Sequence, residues 1–89
     1  MRAIVTVIGK DRVGIIASVC SLLSENGANI LDISQTVLRE YLTMVMLVDI
    51  SACTAPFSEL SKSLKERGEE QLLSIRIQRE DIFEAMHRI

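Results

Sequence analysis

The chain opens on an almost unbroken apolar run, Met1 to Ile8, rich in β-branched side chains. Such a run predicts a central strand covered at least partly on both faces, and Gly9 ends it. From Arg12 to Glu25 the period changes. Ile16, Val19, Cys20 and Leu23 recur at helical spacing, and Ile15 and Leu22 widen the stripe. Asp11 is the expected N-cap of this helix and Asn26-Gly27 its stop. Asn29 to Glu40 alternates, with Leu31, Ile33 and Val37 on one face and Asp32, Ser34 and Thr36 on the other. That is a half-buried strand with one polar side. Tyr41 to Ile50 alternates again through Leu42, Met44, Met46, Val48 and Ile50, and the short spacing across Arg39-Glu40 makes the two strands a hairpin.

Ser51 to Ala55 reads as a loop. Thr54 is the expected cap of a second helix, with Pro56 in its first turn and Gly68 closing it. Phe57, Leu60 and Leu64 form its buried stripe, and Lys62, Lys65, Glu66 and Arg67 its solvated face. Leu72 to Arg79 is a strand, with Leu73, Ile75 and Ile77 set against Ser74, Arg76 and Gln78. Glu80 to Ile89 closes the chain as a short helix with Ile82, Phe83, Met86 and Ile89 apolar. The order β-α-β-β-α-β, joined by right-handed crossovers, predicts an α+β, ferredoxin-like sandwich. It has an antiparallel four-stranded sheet with two helices on one face, plus the C-terminal helix. Residues 1–89 make a single domain.

Composition adds a constraint on assembly. An 89-residue chain that is 48% hydrophobic carries more apolar surface than a core of this size hides, and self-association is the simplest outlet. A homodimer is therefore expected. Net charge is −2 and the aromatic residues are Tyr41, Phe57 and Phe83. A nucleic-acid partner is disfavoured by both the charge and the lack of stacking platforms. No run approaches a membrane span, Lys10-Asp11-Arg12 interrupts any signal-peptide plan, and Cys20 and Cys53 form no cysteine framework. A cytoplasmic protein with reduced thiols is the expectation.

Candidate chemistry concentrates at Gly9-Lys10-Asp11-Arg12-Val13-Gly14-Ile15. A strand delivering the chain into a helix leaves the first helical N–H groups free to hold a carboxylate, and Asp11 can accept from an ammonium. Gly14 needs a reason, since glycine costs about 1 kcal/mol against alanine inside a helix. Close approach of a ligand and close approach of a neighbouring strand are weighed equally. Gly9 and Gly14 match G-x-x-x-x-G, but Ile15-Ile16 follows where a phosphate loop needs Lys-Ser or Lys-Thr. Asn29 serves most simply as a turn residue after Gly27, and Arg12 as a solvated charge. Met44 and Met46 read as core. His87 is the single histidine and makes no metal site, and neither a metal nor a cofactor is expected. Cys20 behaves as a small apolar residue, and no adjacent cation activates Cys53.

Ile8-Gly9-Lys10-Asp11-Arg12-Val13-Gly14-Ile15, followed by Asn29-Ile30 and Asp32-Ile33-Ser34-Gln35, resembles an ACT domain. Within that family it resembles the stand-alone UPF0237 proteins of bacteria and archaea, and the likeness extends to the ending Asp81-Ile82-Phe83-Glu84-Ala85-Met86. The resemblance implies a non-enzymatic regulatory module, a dimer that binds a small molecule, often an amino acid, and acts on an unknown client protein. It implies a ligand near Asp11, Arg12, Val13, Gly14 and Ile15, with Asn29 and Ile30 opening the second strand. Two other readings remain. One is an assembly module without a ligand. The other is a small acylphosphatase-like hydrolase, in which Arg12 and Asn29 would work as a pair.

Overall fold

The computed structural model of the chain describes residues 1–82. Its elements are β1 (Arg2–Lys10), α1 (Ile15–Glu25), β2 (Asn29–Leu38), β3 (Tyr41–Asp49), α2 (Phe57–Glu70) and β4 (Ser74–Arg79). The strands form one sheet in the order β2-β3-β1-β4, with every neighbouring pair antiparallel. This is the ferredoxin-like βαββαβ arrangement that the alternation implies. Of the expected tail helix, only a helical turn at residues 80–82 is described; Phe83, Met86, His87 and Ile89 lie outside the described residues.

The period-two pattern sorts one face of the sheet. Ala3, Val5 and Val7 on β1 and Met44, Met46 and Val48 on β3 are fully buried, and Ile75 and Ile77 on β4 nearly so. On the same face α1 sets Ile15, Val19, Leu22 and Leu23, and α2 sets Leu60 and Leu64, in one continuous core. Both helices therefore share that face, and each large apolar side chain placed there stabilises the fold by roughly 1.5–3 kcal/mol. Met44 and Met46 are core residues, as their spacing implies. On the other face of β1, Ile4 and Thr6 are half-buried and Ile8 is exposed.

Several local expectations give way to tertiary contacts. β1 does not stop at Ile8: Gly9 and Lys10 pair with Leu42 and Tyr41, and the Asp11 N–H donates to the Glu40 carbonyl at 2.7 Å. The backbone of Asp11 thus extends the strand, and its side chain caps no helix. α1 starts at Ile15, and Gly14 is the N-cap at φ 90° and ψ −4°. An added Cβ at Gly14 would meet nothing within 4 Å. The glycine there answers a left-handed backbone, not a close neighbour.

The second helix corrects two further expectations. Pro56 holds the N-cap position in place of Thr54, with no side-chain cap bond. Gly68 lies inside α2, where a Cβ would come within 2.7 Å of the Leu73 carbonyl oxygen, so it permits helix-strand contact and stops nothing. The helix ends instead on Leu72 at φ 58°. The Leu73 N–H donates to Gly68 O at 2.7 Å and the Leu72 N–H to Glu69 O at 3.3 Å. These are the two bonds of a Schellman motif, with leucine in the place glycine ordinarily takes.

β2 alternates as expected but is not half-buried. A bulge between Ile30 and Asp32 turns Ile30, not Leu31, toward the core, where it packs. Ile33 and Val37 share the helix-side face with Met46 and Leu42, yet stay 41% and 52% exposed. The reason is position: β2 is an edge strand, and the helices cover the sheet only as far as its first residues. At the turn after α1, the Asn26 side chain donates to Leu22 O at 2.8 Å. Asn29 makes no such turn and pairs with Asp49 as the first residue of β2.

Candidate functional site

β1 and β2 both run antiparallel to β3 and hence parallel to each other. Asn29 and Arg2 therefore share one end of the sheet, both opposite Asp49. Asp11 to Ile15 follow β1 at the other end, beside Glu40 and Tyr41. Over the 9 residues of β1, at about 3.3 Å each, the ends stand roughly 25 Å apart. The structure thus brings Asp11, Arg12, Val13, Gly14 and Ile15 together and leaves Asn29 and Ile30 apart from them. It also separates Arg12 from Asn29, so the pair that acylphosphatase-like chemistry would use is not assembled within one chain.

At the loop end a cavity of about 230 Å³ is lined by Arg12, Val13, Gly14, Ile15, Glu70 and Gln71. α1 begins here with no side-chain cap and no acidic residue in its first turn. Ser18 N–H is the donor to the Gly14 carbonyl, at 2.9 Å. Helix geometry therefore leaves the N–H groups of Ile16 and Ala17 without intrahelical acceptors, in the field of the helix's positive end. Arg12 is no free loop charge, because its Nη2 donates to the Gln71 carbonyl oxygen and ties the loop to the end of α2. Behind it, Ser18 Oγ accepts from Gln71 Nε2 at 3.0 Å and from Arg67 Nη1 at 3.3 Å. Gln71 Oε1 is buried and, among the described residues, has no hydrogen-bond partner. The arrangement offers an anion backbone donors and a guanidinium, and offers a donor group the Gln71 amide oxygen.

Glu70, Gln71, Ser18 and Arg67 do not follow from the sequence pattern. Glu70 and Gln71 take their place because α2 runs past Gly68, the expected stop; Arg67, expected on the solvated face, turns with Gln71 to Ser18 of α1. A larger groove, about 420 Å³, opens between α2 and β4 along Lys65, Glu69, Ser74 and Arg76, and none of the residues lining the loop cavity lines it. At the opposite end of the sheet the chain is fastened. The Met1 ammonium donates to Ser51 Oγ and lies 3.7 Å from Asp49 Oδ1. The Ser51 hydroxyl and its backbone N–H, the latter at 2.9 Å, hold the Asp49 carboxyl below its ordinary pKa. Cys53 is pushed the other way, first by burial and then by Asp49, so its thiol stays protonated.

Three likenesses accompany this geometry. A UPF0237 protein of Clostridium acetobutylicum is 53% identical over 89 residues, the whole of both chains. The solved ACT domain protein from Streptococcus pneumoniae superposes with a TM-score of 0.82 at 45% identity, over 94% of each chain. The regulatory subunit of aspartate kinase from Thermus thermophilus, in a ligand-free form, matches with a TM-score of 0.66 at 25% identity, over 86% of this chain and 50% of that one. With residues 2–78 matching the family described as the ACT domain, the chain belongs to the ACT domain family.

Proposed function

We propose that the chain is a regulatory module that binds a small carboxylate-bearing molecule, an amino acid first among them, as a homodimer and passes its state to a partner protein. The observation that carries this reading is the uncapped N-terminus of α1, opening on a cavity lined by Arg12 and Gln71. A regulatory subunit of aspartate kinase shares the fold at 25% identity, which supports a regulatory role.

The unpaired edge supports the dimer. β2 is 10 residues long and lies at the margin of the sheet. It carries Ile33 and Val37 half out of the core, a surface that invites strand pairing. In a two-fold, antiparallel pairing of β2 with a second β2, the strand's first residue faces its last. The partner's Asn29 then comes to the Leu38 end, the end of the joined sheet at which the loop of the first chain stands, and a ligand spanning the interface would draw on both groups.

The test combines a thermal-shift screen and calorimetry against the twenty amino acids with sedimentation at low micromolar concentration. The expected result is a dimer with a specific ligand, which Val37→Lys converts to a monomer that no longer binds. Asn29→Ala is expected to keep the dimer and weaken the ligand. A dimer with no ligand favours the assembly reading, to which the exposed β2 edge alone would suffice. A clean monomer overturns both.

A further inference from the structure

Leu72 is expensive twice over. It occupies the left-handed position of the Schellman motif at φ 58°, a conformation glycine adopts freely and an L side chain does not. The residue is also 84% exposed, so it buries little within the chain in return. Strain of this kind clusters at functional sites.

The surroundings say what that function is. Leu72 lines a cleft of about 240 Å³ with Lys10 and Arg12. Among the described residues neither cation has a carboxylate within ion-pair distance. Arg12 is held in place by its bond to the Gln71 carbonyl, so a fixed guanidinium stands beside the leucine. An apolar floor formed by a leucine and two aliphatic stems, rimmed by two unneutralised cations, complements an apolar side chain flanked by carboxylates.

We propose that Leu72, Lys10 and Arg12 form the docking site for an acidic segment of a partner protein, anchored by one apolar side chain. This rests on the reading that the module acts on a partner. It goes beyond that reading in naming the surface and the chemistry of what binds there. The site adjoins the loop cavity, because Arg12 lines both, so occupancy of one bears directly on the other.

The test is an NMR titration of the intact protein with synthetic nonapeptides rich in Asp and Glu. Each carries a central Leu, Phe or Ala, and a Lys-rich peptide with central Leu serves as control. Binding by the acidic Leu and Phe peptides is expected, with shifts centred on Lys10, Arg12 and Gln71 to Leu73. A central Ala is expected to weaken affinity about tenfold, the loss of one buried apolar side chain, and half-molar salt to weaken it further. Leu72→Gly separates this site from a structural role. It is expected to raise Tm by several degrees while lowering peptide affinity at least tenfold. Unchanged binding by Leu72→Gly, equal binding of the Lys-rich peptide, or no shift with any acidic peptide overturns the proposal. So does loss of the dimer in Leu72→Gly, which would assign the leucine to a second copy. Amino-acid calorimetry on the same samples reads the ligand separately, so failure of the docking site and failure of the ligand reading are told apart.

Discussion

Gly14→Ala isolates the conformational role of one glycine from every packing effect. The residue sits at φ 90° with nothing within 4 Å of where a Cβ would stand, so the substitution meets no clash. An L side chain in the left-handed region costs about 1–2 kcal/mol. Stiffening the unfolded chain returns roughly 0.4–1 kcal/mol. The net loss is about 1 kcal/mol, which lowers Tm by roughly 4–8 °C in a domain of this size. Gly27→Ala is the companion measurement. Its φ is 84° and its Cβ would lie 2.7 Å from the Ala52 carbonyl oxygen, so a backbone clash of about 1–3 kcal/mol adds to the same strain. Gly14→Asn should fall between wild type and Gly14→Ala, since asparagine tolerates the left-handed region. Urea unfolding at fixed protein concentration reads all three, the fixed concentration keeping any dimer linkage constant. An unchanged midpoint for Gly14→Ala would refute the argument, and so would Gly14→Ala and Gly27→Ala losing the same amount. If the stability of the free protein is unchanged while ligand affinity collapses, the glycine exists for the ligand and not for the turn.

Three further outcomes follow from the structure. Asp49 is held below its ordinary pKa of 3.8, mainly by the Ser51 hydroxyl and backbone. Its contribution to stability is therefore present above that value and is lost as pH falls through the depressed one. Ser51→Ala should move the Asp49 carboxyl titration, followed by NMR, upward toward 3.8, and no movement would contradict the assignment. Cys53, raised above 9.0 by burial and by Asp49, should be alkylated by iodoacetamide at pH 8 more slowly in the folded protein than in urea; peptide mapping separates it from Cys20, and faster reaction when folded counts against the reasoning. Gly68→Ala gains about 1 kcal/mol of helix propensity but brings a Cβ within 2.7 Å of Leu73 O. The clash should win and lower the urea midpoint, whereas a rise would show that α2 can shift away from β4 cheaply.

What the sequence made legible was whatever depends on period alone. The alternation through Val5, Val7, Met44, Met46, Ile75 and Ile77 placed the core face of three strands, and Val19, Leu23, Leu60 and Leu64 placed the helices on it. Local signals failed where a distant partner claimed the same group. Asp11 has the chemistry of an N-cap, but its backbone is engaged by Glu40. Gly68 has the chemistry of a helix stop, but Leu73 packs where its side chain would be. On β2 the pattern placed Ile33 and Val37 on one face, but it missed the bulge that sets Ile30 there in place of Leu31, and it did not show how little covers Ile33 and Val37, because coverage depends on where α1 crosses the sheet. In the site, the loop residues could be read from a strand-to-helix junction. Glu70 and Gln71 could not, since their place depends on where α2 ends. The separation of Asn29 from the loop was implicit in the topology: two strands that both run antiparallel to a third begin at the same end.

That separation makes a sharp prediction, because a site built by one chain and a site shared by two respond differently to mixing. The loop of Arg12 to Ile15 and the residue Asn29 stand at opposite ends of the sheet. If both contact one ligand, each site takes its loop from one chain and Asn29 from the other. Arg12→Ala homodimers and Asn29→Ala homodimers then carry only damaged sites. In a mixed dimer both substitutions fall in one site and the other site is intact. Random exchange of equal amounts makes about half the dimers mixed, so roughly a quarter of all sites should recover full affinity. Calorimetry after unfolding and refolding the two variants together measures this directly, with separately refolded variants as the baseline. Recovery near that fraction, with wild-type affinity, establishes a shared site. If mixing restores nothing, while Arg12→Ala alone abolishes binding and Asn29→Ala alone does not, the ligand belongs to the loop cavity of a single chain and the paired β2 edges serve assembly only.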